Sequence, residues 1–384
     1  MTPLASKRLR LPAEWPALAG DWDRLLRESE GCSALQSHAF LDCWQRHLAT
    51  ELDPFILAIF RGEVLVAAAP LQLTIKRIWG RRYRVLEFLG MPNELDRPGL
   101  LVRAGDRPAL DALLAAIAAR RGEWDLLQLD ELPRTSWLLP VVQEWAGRHG
   151  WWCRDQTFHD CPYLVKSADW PGYLAGKSRH LRSRLQQARR KIERAGQLEL
   201  RRADRREDLP ALIDLFFEVE SRSWKAREGL AAGGDAAYRD FCQALLAGPD
   251  QPQTGHAMAL LLDGRPMAAT LGFSRDGVYY SLQIAHDEAF RAHSPGTLLE
   301  ALELEWFHAE PTLHRYEFLG GEVLNKRRWT DTAVGTRQLL IRQPGWHIAL
   351  KDLSRFHVQP ALRRMARRLR PGAPTAQMAP FILD

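Results

Sequence analysis

Cysteine is sparse in this chain. The five residues, Cys32, Cys43, Cys153, Cys161 and Cys242, are odd in number and scattered, with no C-x-x-C pair. A disulfide framework and a zinc site of the usual spacing are therefore not expected, and a reducing cytoplasm is the expected setting. Long apolar runs are missing too. Nothing approaches the roughly 18 unbroken apolar residues of a spanning helix, and the N-terminal Lys7, Arg8 and Arg10 are not followed by the apolar core of a secretory signal. The G-x-S-x-G elbow, the G-x-x-x-x-G-K-[ST] loop and H-E-x-x-H are all lacking, which removes the hydrolase, P-loop and zincin readings. His286 and His293 straddle a strand–loop boundary, so no metal pair is expected.

What is present points to two domains. The chain has 384 residues, 46% of them hydrophobic, and a single core stops growing at about 250–300 residues. The net charge of +6 leans toward acidic partners: phosphates, anionic lipids or nucleic acid.

In the first half, Phe40, Trp44 and Leu48 mark a helix. Phe55 to Phe60 and Val64 to Leu73 form a hairpin about Arg61-Gly62. Strands are expected at Arg84 to Leu89, Gly99 to Val102 and Trp124 to Leu129. A helix capped by Asp106 with Pro108 in its first turn, and another from Trp137 to Arg148, complete this half. The second half repeats the order. Asp208 caps a helix with Leu212, Ile213, Phe216 and Val219 on one face, and Tyr238, Phe241, Cys242 and Leu245 mark the next. Strands Ala257 to Leu262, Pro266 to Phe273 and Val278 to Ala285 turn at Asp263-Gly264 and Asp276-Gly277. A helix from Thr297 to His308 and a strand from Arg315 to Leu319 follow. Ile59 to Ala67 also parallels Leu261 to Ala269 residue by residue, as expected of two copies of one domain.

Between the halves runs a basic helix, Lys177 to Arg194. Leu181, Leu185, Ala188, Ile192 and Ala195 form a narrow apolar stripe, with eight Lys and Arg around it and one acid, Glu193. It reads either as a solvated helix or as an electropositive wall for an anionic substrate, with Arg182 and Arg189 off the stripe. It has no aromatic residue to stack on bases, so nucleic acid is not the expected partner.

Helix, helix, three antiparallel strands, helix, strand is the order of a GNAT acetyltransferase. Arg291-Ala-His-Ser-Pro-Gly-Thr297 resembles that superfamily's R/Q-x-x-G-x-G/A loop, which offers backbone N–H groups to the pyrophosphate of coenzyme A. Ser294 stands where glycine is frequent, and Pro295 removes one donor. The stretch Trp170 to Arg342 is similar to the CelD/BcsL-like, FemAB-like branch. The basic helix, Glu220-Ser-Arg-Ser-Trp-Lys225, Ser294-Pro-Gly-Thr-Leu-Leu299 and Phe318-Leu-Gly-Gly-Glu-Val-Leu-Asn-Lys-Arg-Arg-Trp329 carry the similarity. Asn325 replaces a tyrosine common in that branch. Leu35-Gln-Ser-His-Ala-Phe40 fits its degenerate first domain.

The resemblance implies an α/β chain with mixed sheets and two tandem GNAT-type acyltransferase domains: 1–160 degenerate, 161–345 carrying the acyl-CoA site, and 346–384 a basic tail. Acyl-CoA would be the co-substrate, with no tightly bound cofactor and no metal. It would meet Gln283, Ile284, Arg291, Ser294, Gly296 and Thr297. Glu220, His286 and Glu317 are the candidate catalytic acids and bases, and Arg182, Arg189, Trp224, Lys225, Lys326 and Trp329 the candidate acceptor contacts. The implied acceptor is an amine or hydroxyl on an envelope, polysaccharide-related or other small molecule. Rival expectations are a Fem-type aminoacyl transferase of peptidoglycan synthesis and a non-catalytic scaffold of exopolysaccharide assembly. The tail suggests peripheral contact with an anionic face of the inner membrane.

Overall fold

A computed structural model of the chain describes residues 3–9, 14–48, 53–78, 80–90, 96–227, 236–321 and 324–344. The basic tail, with its expected membrane contact, lies outside the described residues.

The first half runs β1 (Leu4–Arg8), α1 (Ala19–Glu28), α2 (His38–Leu48), β2 (Asp53–Arg61), β3 (Val64–Ile78), β4 (Arg81–Phe88), β5 (Leu101–Val102), α3 (Arg107–Ala119), β6 (Leu126–Pro133) and α4 (Leu138–Arg148). A 14-residue strand, β7 (Trp152–Val165), leads out of it. The second half runs α5 (Trp170–Ala175), α6 (Arg179–Ala195), β8 (Leu198–Arg202), α7 (Leu209–Glu220), α8 (Trp224–Arg227), α9 (Ala236–Ala247), β9 (Thr254–Leu262), β10 (Arg265–Arg275), β11 (Val278–His286), α10 (Pro295–Ala309), β12 (Arg315–Glu317), α11 (Leu324–Arg327) and β13 (Ala333–Arg342). The mixed α/β architecture is as expected. Strands β1, β7, β8 and β13 and helices α1 and α5 add to it.

The strands join in one sheet, in the order β1-β2-β3-β4-β6-β13-β7-β12-β11-β10-β9-β8, with β5 on β3. β7 serves both halves. Trp152 to Pro162 pair with β13, and Tyr163 to Val165 pair with β12. β13 itself crosses back to lie between β6 and β7. The boundary expected at residue 160 thus falls inside a shared strand. One hydrophobic cluster runs from Leu9 to Ile341 through both halves. Helices α2 and α9 meet across the middle, Phe40 edge-on to Phe241 with centroids 5.6 Å apart.

Strand register shows the repeat directly. In the first hairpin Arg61 pairs with Val64, and Val66 bulges between the Phe60–Leu65 and Ile59–Ala67 pairs. In the second, Leu262 pairs with Arg265, and Met267 bulges between Leu261–Pro266 and Leu260–Ala268. Val66 is therefore the structural counterpart of Met267. The match by sequence alone, which set Val66 against Ala268, is one residue out of step. The bulge, an extra residue on one strand, is the landmark that fixes the alignment.

Local chemistry mostly explains the helix ends. Asp106 Oδ1 accepts from Ala109 N–H at 3.1 Å and caps α3. Asp208 does not cap α7: its carboxylate turns back to Arg205 N–H at 3.1 Å. Helix α6 begins at Ser178, whose Oγ accepts from Leu181 N–H at 3.2 Å. It stops at Gly196, where a Cβ would stand 2.1 Å from Asp263 Oδ2. Leu181, Leu185, Ala188 and Ile192 are its buried stripe; Ala195, past the last buried turn, is exposed.

Candidate active site

A cleft opens where β11 and β12 part. They run parallel for three rungs, Val278–Arg315, Tyr279–Tyr316 and Tyr280–Glu317. Beyond Glu317 the chain turns away, with Leu319 (φ 51°) and Gly320 (φ 61°) both left-handed. Phe318 N–H goes to Pro162 O at 3.3 Å. From Ser281 to His286, β11 keeps its pairing with β10 but has no strand partner on its other edge among the described residues. Leu282 bulges here, between the Leu271–Gln283 and Gly272–Ser281 pairs. A bulge at an open edge aims backbone groups out of the ladder. Gln283 and Ile284 follow it immediately.

The same strand delivers the chain to the N-terminus of α10. A 3-10 turn, Glu288–His293, leads to Ser294 in a left-handed conformation (φ 52°, ψ 48°). This is why glycine suits the position, since a Cβ there costs about 1–2 kcal/mol. Ser294 gives no side-chain cap, so the first N–H groups of α10, at Gly296 and Thr297, point out of the helix end. Arg328 Nη1 donates to Thr297 Oγ1 at 2.8 Å, adding a cation beside them. The turn is pinned by Asp287, which pairs with Arg222 and Arg265, each at 3.0 Å. Arg291 extends into solvent. A Cβ on Gly296 would touch His286 Nδ1 at 3.4 Å.

The first half has the equivalent helix end, but it is filled. The Asp106 carboxylate caps α3 and also takes both hydrogen bonds of Arg61 Nη2, at 2.9 and 3.0 Å. A phosphate would have to displace a carboxylate already neutralised there.

Three expected residues meet near the bulge. Lys225 Nζ donates to Gln283 Oε1 at 2.9 Å and lies 3.6 Å from Glu220 Oε1, and Gln283 Nε2 donates to Tyr238 OH at 3.0 Å. Glu220 is 1% exposed, and its Oε2 is without a hydrogen-bond partner. Burial lowers the Lys225 pKa, opposed by Glu220. Trp224 beside it is 40% exposed. His286, 3.4 Å from Glu288, ends the strand beside the α10 terminus. Burial lowers its pKa, so at neutral pH the ring is uncharged and can accept a proton.

The other expected residues are distributed differently. Glu317 does not face solvent: Arg97 Nη2 reaches it at 2.8 Å and Arg315 Nε at 2.6 Å. Lys326 donates to the carbonyls of Leu319 and Gly321. Trp329 is a buried pillar, its Nε1 donating to Glu300 at 3.2 Å and its carbonyl accepting from Tyr173 OH and Lys177 Nζ, both at 2.5 Å. Arg189 pairs with Glu193 at 2.9 Å, and both line a cavity of about 380 Å³ together with Leu198, Leu260, Leu298 and Leu302. Arg182 is exposed on α6. From the same helix, Lys191 Nζ reaches Ala292 O in the turn before α10 at 3.5 Å. Arg328 and the Leu282 bulge are not marked by the sequence, and Tyr238 is marked only as a residue of a helix face. Arg328 stood inside the quoted Lys326-Arg-Arg-Trp329 motif, whereas a bulge leaves no residue-type signal.

Residues 179–327 match the family model of the acetyltransferase (GNAT) domain. Those residues are similar to that domain, and the chain as a whole has a tandem GNAT fold. Solved structures share that fold. One titled FemX is 14% identical with a TM-score of 0.58, over 87% of this chain and 96% of its own. A tandem GNAT protein from the clavulanic acid biosynthesis pathway is 14% identical with a TM-score of 0.52, over 89% and 100%. The C-terminal domain of a putative lysylphosphatidylglycerol synthetase from Agrobacterium fabrum gives 14% and 0.52, over 89% and 96%. No curated protein matches the chain in sequence. Among the described residues, no helix is long and apolar enough to cross a membrane.

Proposed function

We propose that the second half of this GNAT protein binds acyl-CoA and transfers its acyl group to an amine or hydroxyl of an envelope, polysaccharide-related or other small acceptor. The observation that carries the reading is that one strand, β11, has both the Leu282 bulge on an open edge and, at its end, the uncapped helix terminus at Ser294. A pyrophosphate at Gly296 and Thr297, met by Arg328, lays the pantetheine along the open edge. The thioester then lies at the bulge, where the N–H groups around Gln283 and Ile284 polarise its carbonyl.

Of the three candidate bases, Glu220 fits best. It reaches the bulge through Lys225 and Gln283 and has a free carboxylate oxygen. His286 adjoins Gly296 at the phosphate end, and two arginines occupy Glu317. The acceptor approaches past Trp224 and Lys225. The filled helix end at Asp106 supports one acyl-CoA site per chain, in the second half. The acceptor class rests on the family resemblance.

Isothermal titration with acetyl-CoA and longer acyl-CoAs tests the reading. One site per chain, weakened by Gly296→Val, supports it. A folded chain that binds no acyl-CoA would turn the reading to aminoacyl transfer or to a binding protein.

A further inference from the structure

A second group of buried polar residues lies where β6, β13 and β7 meet the end of β12, and the acyl transfer described above does not use it. Glu131 on β6 and His159 and Cys161 on β7 bring one donor atom each to within 4.8 Å of one another. His159 and Cys161 are two apart on one strand and so share a face. Glu131 and Cys161 are buried, and His159 is partly exposed. Glu131 itself (φ 59°) and Arg97 (φ 52°), whose N–H it accepts from, are non-glycine residues held in left-handed conformations. Such conformations cost of order 1–3 kcal/mol each and collect where a constellation must be held.

We propose that Glu131, His159 and Cys161 bind a divalent transition metal of the zinc type. One carboxylate, one imidazole and one thiol are a characteristic zinc donor set, leaving a fourth position open. His159 Nε2 and Glu131 Oε1 stand 3.2 Å apart, a separation two ligands of one metal can keep, and beside them Asp96 Oδ2, on a side chain 1% exposed, is without a hydrogen bond. Neither nearby cation donates a side-chain hydrogen bond to the three donors: Arg97 pairs with Asp96 at 2.9 Å and Glu317 at 2.8 Å, and Lys326 donates to two carbonyls. Glu131 Oε2 accepts from Arg97 N–H at 2.8 Å, which fixes the carboxylate and leaves Oε1 toward His159. On binding, Cys161 releases its thiol proton to solvent and the thiolate takes the metal. His159 marks the side from which a fourth, solvent ligand reaches it. The donors come from separate strands, with β13 laid between them, so no C-x-x-C spacing announces them.

The test uses the full chain, stripped with chelator and titrated with Co²⁺ and then Zn²⁺. The expected result is one equivalent of Co²⁺, with tetrahedral visible bands and a near-ultraviolet thiolate-to-cobalt transition, displaced by Zn²⁺. Cys161→Ser should lose the thiolate transition and Cys153→Ser should keep it. Asp96→Asn, beside the ligands, should weaken binding by roughly tenfold. If Cys161→Ser fails to fold by circular dichroism, Glu131→Gln and His159→Asn carry the test, each losing the tetrahedral spectrum. No thiolate transition in the parent chain, or a transition that survives in a folded ligand variant, overturns the proposal.

Discussion

Arg97 of the first half and Glu317 of the second meet at 2.8 Å, both buried, directly beside the last rung of the β11–β12 ladder. The cleft edge is thus set by an ion pair that also ties the two halves together. Removing one partner strands the other charge, and such losses run to about 3–5 kcal/mol. Glu317→Ala should lower stability by that order in urea denaturation. Because Arg97 also pairs with buried Asp96 at 2.9 Å, replacing all three charges, with Glu317→Met, Arg97→Met and Asp96→Asn, should recover most of it. Equal losses in the single and triple variants would show the pair to be incidental.

Gly296→Val presses a branched side chain on His286, 3.4 Å from where its Cβ would stand, and narrows the approach to the α10 terminus. Acyl-CoA affinity should fall roughly tenfold or more, an energy of about 1.4 kcal/mol, with the circular dichroism spectrum unchanged. Unchanged affinity by calorimetry would remove this loop from the site.

Ser294 holds a left-handed conformation without giving its helix a side-chain cap. Ser294→Gly should relieve strain and stabilise the chain by about 0.5–1 kcal/mol, the gain reduced by the extra freedom of glycine in the unfolded chain. Its acyl-CoA affinity should be kept. A destabilised variant would mean that the hydroxyl does more than occupy the turn.

His256 ties stability to pH. Burial lowers its pKa to about 4, and Nε2 is 2.8 Å from Ser274 Oγ. The unfolded chain, with an ordinary value near 6.5, takes up the proton first as pH falls. The stability due to neutral His256 is therefore full above about pH 6.5 and is lost between there and pH 4, amounting to about 2–3 kcal/mol. His256→Gln should flatten that part of the profile. Urea midpoints at pH 7 and 4.5 that fall equally in both proteins would exclude the residue.

Much of the second half was legible because its signals are local. Asp263-Gly264 and Asp276-Gly277 mark tight hairpins, and Leu212, Ile213 and Phe216 mark a helix face. β7 and β13 were not legible. Their partners lie far along the chain, and their side chains do not alternate cleanly: Arg154, Asp155 and Gln156 precede Cys161 and Leu164 on one strand. The same holds for the site. Gly296 and Thr297 announce themselves by the loop they stand in. Glu317 reads from sequence as a candidate base, and alternation along a strand cannot show that Arg97, 220 residues earlier, comes to meet it.

Glu220 and Arg328 should separate chemistry from binding. Glu220 is buried 3.6 Å from Lys225, so Glu220→Gln leaves that ammonium without its counter-charge and should lower stability modestly. As the base it should lower kcat by about 10²–10⁴, with the KM for acyl-CoA unchanged. Arg328 hydrogen-bonds the helix terminus, through Thr297, and Asn325, and faces Glu300. Arg328→Ala should therefore raise the KM for acyl-CoA roughly tenfold with kcat kept, the signature of lost uniform binding. His286→Gln, at the phosphate end, should lower kcat less than tenfold. Steady-state kinetics on the three variants decides among the bases. If His286→Gln loses kcat by a hundredfold while Glu220→Gln does not, the imidazole is the base and Glu220 only holds Lys225 against Gln283.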